Sequence, residues 1–225
     1  MNRPSDSVHG RVALFDLDGT LTWRDTFLPY VVGYWLRQPR RWGRAWRVLP
    51  ALAVYLFAGR DRGELKARMI RLSMGGADRD AVRAWTAAFV GSLPARRAYR
   101  PDALARLARH RDAGDVVILL SASPDLYVPA IGAALGAART ICTEVRWAGD
   151  RLDGALASPN RRGEEKRNRL DALRAEFRER PISAYGNSVS DLPHLRAADH
   201  GVLVNGSRAA RRAARAAGIE TEHWR

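Results

Sequence analysis

The chain has 225 residues, of which 46% are hydrophobic, and a formal net charge of +14. This length and apolar content are enough for one α/β domain with an appended subdomain, or for two small domains. A single cysteine, Cys142, excludes an internal disulfide framework and fits a reducing compartment. The opening residues MNRPSDSVHGRV lack the apolar segment of a signal peptide, so the expected location is the cytoplasm.

The basic residues are almost all arginine. Of 38 lysines and arginines, only Lys66 and Lys166 are lysines. Such a bias is typical of a GC-rich genome, so the charge alone does not favour nucleic acid as a partner, although a positive field still favours anionic substrates or surfaces. A lysine in such a chain indicates a position that needs a compact ammonium group rather than a planar guanidinium.

The first predicted element is a buried strand that ends in carboxylates. Residues 12–22 read VALFDLDGTLT, so a short apolar run leads directly into Asp16 and Asp18. Residues two apart in a strand point to the same side, and the two carboxylates can therefore converge on one site. Burying carboxylates costs free energy unless they bind a metal or take part in chemistry. This stretch therefore predicts a functional site.

The next interval, from about 23 to 97, is predicted to be entirely helical. The sequence predicts helices over 27–36, 61–74 and 78–92, with an apolar segment from Val48 to Ala58 between the first two. Asp25 and Thr26 can cap the first helix, and Pro39 ends it. The apolar segment has eleven residues, too few for a helix that spans a membrane.

From Pro101 onwards, helices and strands alternate. Strands are predicted at 116–120, 182–185 and 202–204, a hairpin is predicted from 141–147 and 152–156, and helices are predicted at 101–114, 124–135, 163–179 and 207–217. Three strands end in polar residues, namely Asp16 and Asp18, then Ser121, then Asn187 with Asp191 nearby. Ligands bind at the carboxyl ends of strands in open parallel sheets, so these residues predict one composite site.

Four motifs, FDLDGTLT, LSAS, GEEK and YGNSVSDLP, occur in that order. Together they resemble the haloacid-dehalogenase superfamily of phosphohydrolases, and most closely the branch that contains phosphoserine phosphatase. The resemblance covers roughly 11–22 and 100–205. It implies a Rossmann-like α/β core with a doubly wound, mostly parallel sheet over 1–22 and 98–225, and an inserted all-helical cap over 23–97. The cap matches only in position and helical character, so it transfers no substrate.

The resemblance also implies a Mg²⁺-dependent phosphomonoester hydrolase that works through an aspartyl-phosphate. Asp16 would be the nucleophile. Asp18 would protonate the leaving group and later deprotonate water. Lys166 would pair with Asp16 and the transferring phosphate. The remaining implied phosphate contacts are Gly19, Thr20, Ser121 and Ala122.

The metal ligands implied by the resemblance are Asp16, the backbone carbonyl of Asp18, Asn187 and Asp191. The usual fourth motif has an aspartate directly after its glycine, where this chain has Asn187. An amide oxygen can bind Mg²⁺ but brings one negative charge less. Whether Asn187 or Asp191 contacts the ion directly is open at this stage.

Residues 35–58 leave the substrate open. A small phosphomonoester such as phosphoserine is the first expectation. The tryptophans and arginines of WLRQPRRWGRAWR, followed by an apolar run, are typical of a membrane interface and similar to phosphatidylglycerophosphatase C-type caps. A lipid-phosphate phosphatase at an anionic membrane surface, peripherally attached, is therefore an alternative. Aromatic residues that pack the cap's own core explain the same pattern.

A third reading is a basic membrane- or nucleic-acid-binding protein with a decayed active site. Its only support is Asn187, because none of the expected catalytic residues is missing.

Overall fold

The structure is a computed structural model that describes residues 10–44 and 62–225. Six strands form the main sheet: β1 (Val12–Phe15), β2 (Val116–Pro124), β3 (Arg139–Thr143), β6 (Ile182–Gly186), β7 (His200–Val204) and β8 (Glu220–Glu222). Their order across the sheet is β3-β2-β1-β6-β7-β8, and every neighbouring pair is parallel. A separate antiparallel hairpin consists of β4 (Val145–Ala148) and β5 (Arg151–Leu156). The predicted Rossmann-like α/β fold is confirmed.

Eight α-helices accompany these strands in the described part of the chain. They are α1 (Phe27–Leu36), α2 (Arg62–Met74), α3 (Arg79–Ser92), α4 (Pro101–Asp112), α5 (Val128–Leu135), α6 (Glu164–Glu176), α7 (Leu192–Ala197) and α8 (Arg208–Ala216). None of them is both long and apolar enough to cross a lipid bilayer. The predicted apolar segment from Val48 to Ala58 lies outside the described residues.

The central strand β1 separates two apolar cores. Ala13 and Phe15 belong to one core, and Val12 and Leu14 belong to the other. All four side chains are at most 1% exposed. Successive strand residues point to opposite faces, so a sheet covered by helices on both faces needs an apolar residue at every position. This explains why the strand before the two aspartates is a continuous apolar run.

The interval between β1 and β2 contains helices and no strand in its described parts, 23–44 and 62–97. An aromatic cluster joins it to the rest of the chain: the Tyr30 ring lies 4.5 Å from the Tyr127 ring and 5.9 Å from the Trp85 ring, centroid to centroid. The Tyr30 hydroxyl also lies 2.7 Å from the Thr86 hydroxyl. The cap boundaries at 23 and 97 stay a prediction.

The predicted hairpin over 141–147 and 152–156 is partly wrong. Its first half belongs to β3, at the edge of the main sheet, and only β4 pairs with β5. The chain bends between Thr143 and Val145 because Asp125 holds both sides of the bend. The Asp125 backbone N–H donates to the Thr143 carbonyl (2.9 Å), and its carboxylate accepts from the Val145 N–H (3.1 Å). Strand-forming residues continue through the bend, so the local sequence gives no sign of it.

Two other boundaries differ from the predictions. Helix α5 begins at Val128 rather than 124, because β2 continues to Pro124, and a residue before proline favours extended backbone. Strand β8 was not predicted, because three polar residues at a sheet edge produce no apolar run.

We expect the Asp125→Asn variant to be more stable than the wild type at pH 8. Burial raises the pKa of Asp125 from 3.8 to about 6. Because this pKa is raised in the folded state, the free energy of unfolding falls as the pH rises from 3.8 through 6. Asparagine keeps the acceptor for the Val145 N–H without the charge. Thermal unfolding should show a gain of about 1 kcal/mol at pH 8 that disappears at pH 4.

Asp171→Asn is the matched control for this prediction, because Asp171 is exposed and pairs with Arg167 on the surface of α6. A pH-independent effect of Asp125→Asn would contradict the prediction.

Candidate active site

The carboxyl ends of β1, β2 and β6 border a cavity of about 370 Å³, which we call the catalytic cavity. The residues predicted from the sequence that line it are Asp16, Asp18, Gly19, Ala122, Lys166, Asn187 and Asp191. Thr20 and Ser121 do not line it. The alternating strands thus bring residues separated by up to 175 positions to one sheet edge.

A buried lysine joins the first and last motifs. The Lys166 Nζ atom, in the first turn of α6, donates to Asp16 Oδ1 at 2.6 Å and to Asp191 Oδ1 at 2.7 Å. Lys166 and Asp191 are each 2% exposed, and Asp16 is 7% exposed. One ammonium group therefore lies between two carboxylates at a site that is almost closed to solvent.

The charges of this triad are not balanced. Burial raises the pKa of Asp16 to about 7, with a contribution from neighbouring Asp191 and against the attraction of Lys166. Burial opposes the charge of Lys166 as well, yet the two carboxylates hold its pKa above the usual range. The pKa of Asp191 lies below its usual range, because Lys166 and Ser188 outweigh burial. Two carboxylates thus face one ammonium group, and one further cation beside Asp16 would balance the charge of the triad.

Asp18 lies in a different environment, although it is only two residues from Asp16. Its Oδ1 atom accepts from the Thr26 backbone N–H and hydroxyl, each at 2.7 Å, and its Oδ2 atom accepts from the Ser123 hydroxyl at 2.5 Å. The Tyr127 hydroxyl lies 3.0 Å from the Thr26 hydroxyl. Asp16 is thus paired with a cation, whereas Asp18 is oriented by neutral donors, an arrangement that suits two carboxylates with separate tasks.

The side chains of Asn187 and Asp191 are used differently. Both oxygens of Asp191 are engaged: Oδ1 by Lys166, and Oδ2 by the Ser188 N–H and hydroxyl at 2.9 and 2.7 Å. The Asn187 amide lines the catalytic cavity and lies directly over Gly19, where an added Cβ atom would be 2.1 Å from Nδ2. Gly19 also has φ +84°, so its lack of a side chain is required twice.

Thr20 and Ser121, two predicted phosphate contacts, are fully buried. The Thr20 hydroxyl donates to Asp16 Oδ2 at 3.0 Å, and the Ser121 hydroxyl accepts from the Ser123 N–H at 3.1 Å. Both therefore support residues that line the catalytic cavity. Their contact with phosphate stays a prediction.

The site also contains residues that were not predicted to belong to it, among them Lys66, Ser123 and Thr26. Lys66 lies on α2 and is 5% exposed; its Nζ atom donates to the Ala122 carbonyl at 2.5 Å and to Asn160 Oδ1 at 3.0 Å. The scarcity of lysine was a usable signal, because both lysines of the chain line the catalytic cavity. Thr26 was interpreted only as a helix cap.

The residues of the catalytic cavity fit a magnesium ion. In the described part of the chain, no three or more His, Cys, Asp or Glu side chains form a metal cluster. Mg²⁺ prefers oxygen ligands and keeps several waters, so it needs few protein ligands. The Asp16 carboxylate and the Asn187 amide are such ligands. Burial raises the pKa of Asp16, and a cation bound beside it would favour the charged carboxylate.

The chain belongs to the haloacid dehalogenase-like hydrolase family, whose sequence profile matches residues 13–196. Protein CicA of Caulobacter vibrioides is 38% identical over 209 residues, which cover 88% of this chain and 89% of that protein.

Solved structures share the fold. A protein with unknown function from Bordetella pertussis Tohama I has a TM-score of 0.79 at 24% identity, covering 94% of this chain and 97% of the other. The phospho-aspartyl intermediate analogue of phosphoserine phosphatase has a TM-score of 0.64 at 15% identity, covering 90% of each chain. The sequence profile confirms the predicted resemblance to the superfamily, and the solved structures confirm the shared fold.

Proposed function

We propose that the protein is a Mg²⁺-dependent phosphomonoester hydrolase that forms an aspartyl-phosphate on Asp16. The observation that carries this proposal is the position of Asp16 at the end of β1, where it lines the catalytic cavity beside Asp18 and accepts a 2.6 Å hydrogen bond from Lys166. Membership of a hydrolase family supports it.

The proposed reaction has two steps. A carboxylate oxygen of Asp16 attacks phosphorus, forming the aspartyl-phosphate bond, while the bond from phosphorus to the ester oxygen breaks. Asp18 donates its proton to that leaving oxygen. Asp18 then removes a proton from water, which attacks the aspartyl-phosphate, releases inorganic phosphate and restores the Asp16 carboxylate. The donors Thr26 and Ser123 hold the Asp18 carboxylate in place for both proton transfers.

Lys166 and a magnesium ion would share the task of neutralising charge. Lys166 contributes a fixed ammonium group beside the nucleophile. Asp16, the Asp18 carbonyl and Asn187 would hold Mg²⁺, which supplies positive charge against the phosphoryl oxygens. Since both oxygens of Asp191 are already hydrogen-bonded, we assign it the task of orienting Lys166 and the loop from 187 to 188.

A second candidate is a lipid-phosphate phosphatase at a membrane surface. The predicted membrane-facing segment, 35–58, is described only as far as residue 44. In that part, Leu36 is 52% exposed and Trp42 is 51% exposed, and large apolar side chains in water favour an apolar partner. Flotation with anionic vesicles tests this candidate, and no binding at low salt would contradict it.

Removal of divalent metal is expected to abolish phosphate release from phenyl phosphate. The purified protein should lose activity at least about 100-fold in excess EDTA, because no metal cation then balances the surplus negative charge beside Asp16. Added Mg²⁺ should restore the activity. Unchanged turnover in EDTA would contradict the metal requirement. A lack of phosphate release from phenyl phosphate and from a panel of phosphorylated metabolites and lipid phosphates would contradict the proposed function and favour a decayed site.

A further inference from the structure

A second cavity, of about 630 Å³, adjoins the catalytic cavity, and we call it the outer cavity. Trp23, Arg24 and Asp25 line both cavities, so the two cavities are neighbours along these three residues. The proposed catalytic residues line the catalytic cavity, which gives that cavity a function. The outer cavity has no task in the hydrolysis itself.

The outer cavity combines an apolar floor with a basic rim. Trp23 and Pro29, both exposed, contribute most of the apolar surface, and Phe89 and Leu93 lie behind it. Phe89 and Leu93 are fixed in the core, at 2% and 4% exposed. The rim carries Arg96 and Arg97, both exposed, in addition to shared Arg24. An apolar surface edged by guanidinium groups suits an amphiphilic anion.

The charge balance distinguishes the two cavities. Among the described residues, the catalytic cavity has four basic side chains, Arg24, Lys66, Arg162 and Lys166, and four acidic ones, Asp16, Asp18, Asp25 and Asp191. A dication there would therefore be balanced by the two charges of the phosphate group alone. The outer cavity has three arginines against Asp25 alone. The outer cavity therefore has an excess of positive charge, which a second anionic group of the substrate would balance.

The backbone of Arg97 provides an independent observation. Its φ is +49°, in the left-handed region that glycine and asparagine occupy most readily. Among the described residues, the only other non-glycine residue with positive φ is Asn205. Glycine would remove this strain. An arginine kept in this conformation at the edge of a cavity therefore indicates that its side chain has a role there.

We propose, on the basis of the proposed function, that the outer cavity binds the leaving group of the substrate. The favoured class is a phosphomonoester whose leaving group joins an apolar part to a second anionic group. With the phosphate at Asp16, the apolar part packs on Trp23 and Pro29, and the second anion pairs with Arg96 and Arg97. An aliphatic and an aromatic leaving group share this chemistry, so the test includes both.

The experiment compares kcat/KM for two matched pairs of substrates with Mg²⁺ present. Decyl phosphate is paired with ω-carboxydecyl phosphate, and phenyl phosphate is paired with para-carboxyphenyl phosphate. In each pair the carboxylate is the only difference. We expect the carboxylate to raise kcat/KM about tenfold in the pair whose leaving group fits the outer cavity. A preference in one pair only identifies the aliphatic or the aromatic class.

Arg97→Gly tests the basic rim, because glycine adopts the left-handed backbone without strain and removes only the guanidinium side chain. The carboxylate preference should fall to about twofold or less. Arg212→Ala, which removes an exposed arginine of α8 outside both cavities, is the matched control and should keep the preference.

The outcomes separate the two proposals. Hydrolysis of phenyl phosphate without a carboxylate preference in either pair, or a preference that Arg97→Gly leaves intact, would overturn this inference and leave the proposed function standing. If no ester is hydrolysed, the proposed function fails. Calorimetric titration with ω-carboxydecyl phosphate and para-carboxyphenyl phosphate then still decides whether the outer cavity binds such anions. Binding of neither, or equal binding to Arg97→Gly, overturns the inference.

Discussion

The Asp16→Asn variant is expected to release phosphate from phenyl phosphate at least about 10⁴-fold more slowly than the wild type. Asparagine has nearly the shape of aspartate: its one carbonyl oxygen can accept from Lys166, and its amide N–H can donate to the Thr20 hydroxyl. A neutral amide oxygen, however, is too weak a nucleophile to form the acyl phosphate. The loss therefore reports the chemistry of Asp16 rather than the architecture of the catalytic cavity.

A malachite-green phosphate assay measures the steady-state loss, and rapid acid quench followed by peptide mass spectrometry measures the intermediate. The wild-type peptide that contains Asp16 should gain one phosphoryl group, and the Asp16→Asn peptide should not. Asp171→Asn, an exposed substitution on α6, is the control for handling and folding. Persistent turnover by Asp16→Asn would refute the assignment of the nucleophile.

Lys166→Met is expected to reduce both activity and stability. Without the ammonium group, Asp16 and Asp191 are buried within reach of each other with no cation between them. Removing one partner of a buried ion pair costs about 3–5 kcal/mol, so the free energy of unfolding at pH 8 without metal should fall by about that amount. We expect kcat to fall at least about 10²-fold, because the developing phosphoryl charge loses a fixed cation.

Urea unfolding and phosphate release, measured on the same preparations, distinguish the two effects of Lys166→Met. Adding Asp16→Asn to Lys166→Met removes one of the two stranded charges. The double variant should therefore be more stable than Lys166→Met and remain inactive. A Lys166→Met variant as stable as the wild type, or a double variant no more stable than the single one, would contradict the charge balance described for this triad.

The sequence predicted the parallel sheet because buried strands have a local signature. Each of β1 and β6 is a short apolar run, and polar side chains follow directly at the end that meets the ligand. The bend between β3 and β4, near residue 145, was missed for a physical reason. The bend depends on Asp125, which is distant in sequence and shows its effect only through its hydrogen bonds to Thr143 and Val145.

The candidate site was predictable to the extent that its residues belong to short motifs. Asp16, Asp18, Lys166 and Asn187 line one cavity, as expected for the ends of neighbouring strands. Lys66 was not predicted as a site residue, because the helical interval carries no motif, and which of its side chains reaches the cavity depends on how the helices pack. The outer cavity was beyond prediction for the same reason, since its wall combines residues 22–29 with residues 89–98.

The hydrogen bonds of Asp18 have a consequence for the order of events during turnover. Two of its three donors belong to Thr26, which immediately precedes α1 and is tied to Tyr127 before α5. Any outward displacement of α1 would therefore withdraw those donors and free the carboxylate to turn away from the leaving oxygen. In the order of events, α1 would have to be in place before Asp18 can transfer its proton.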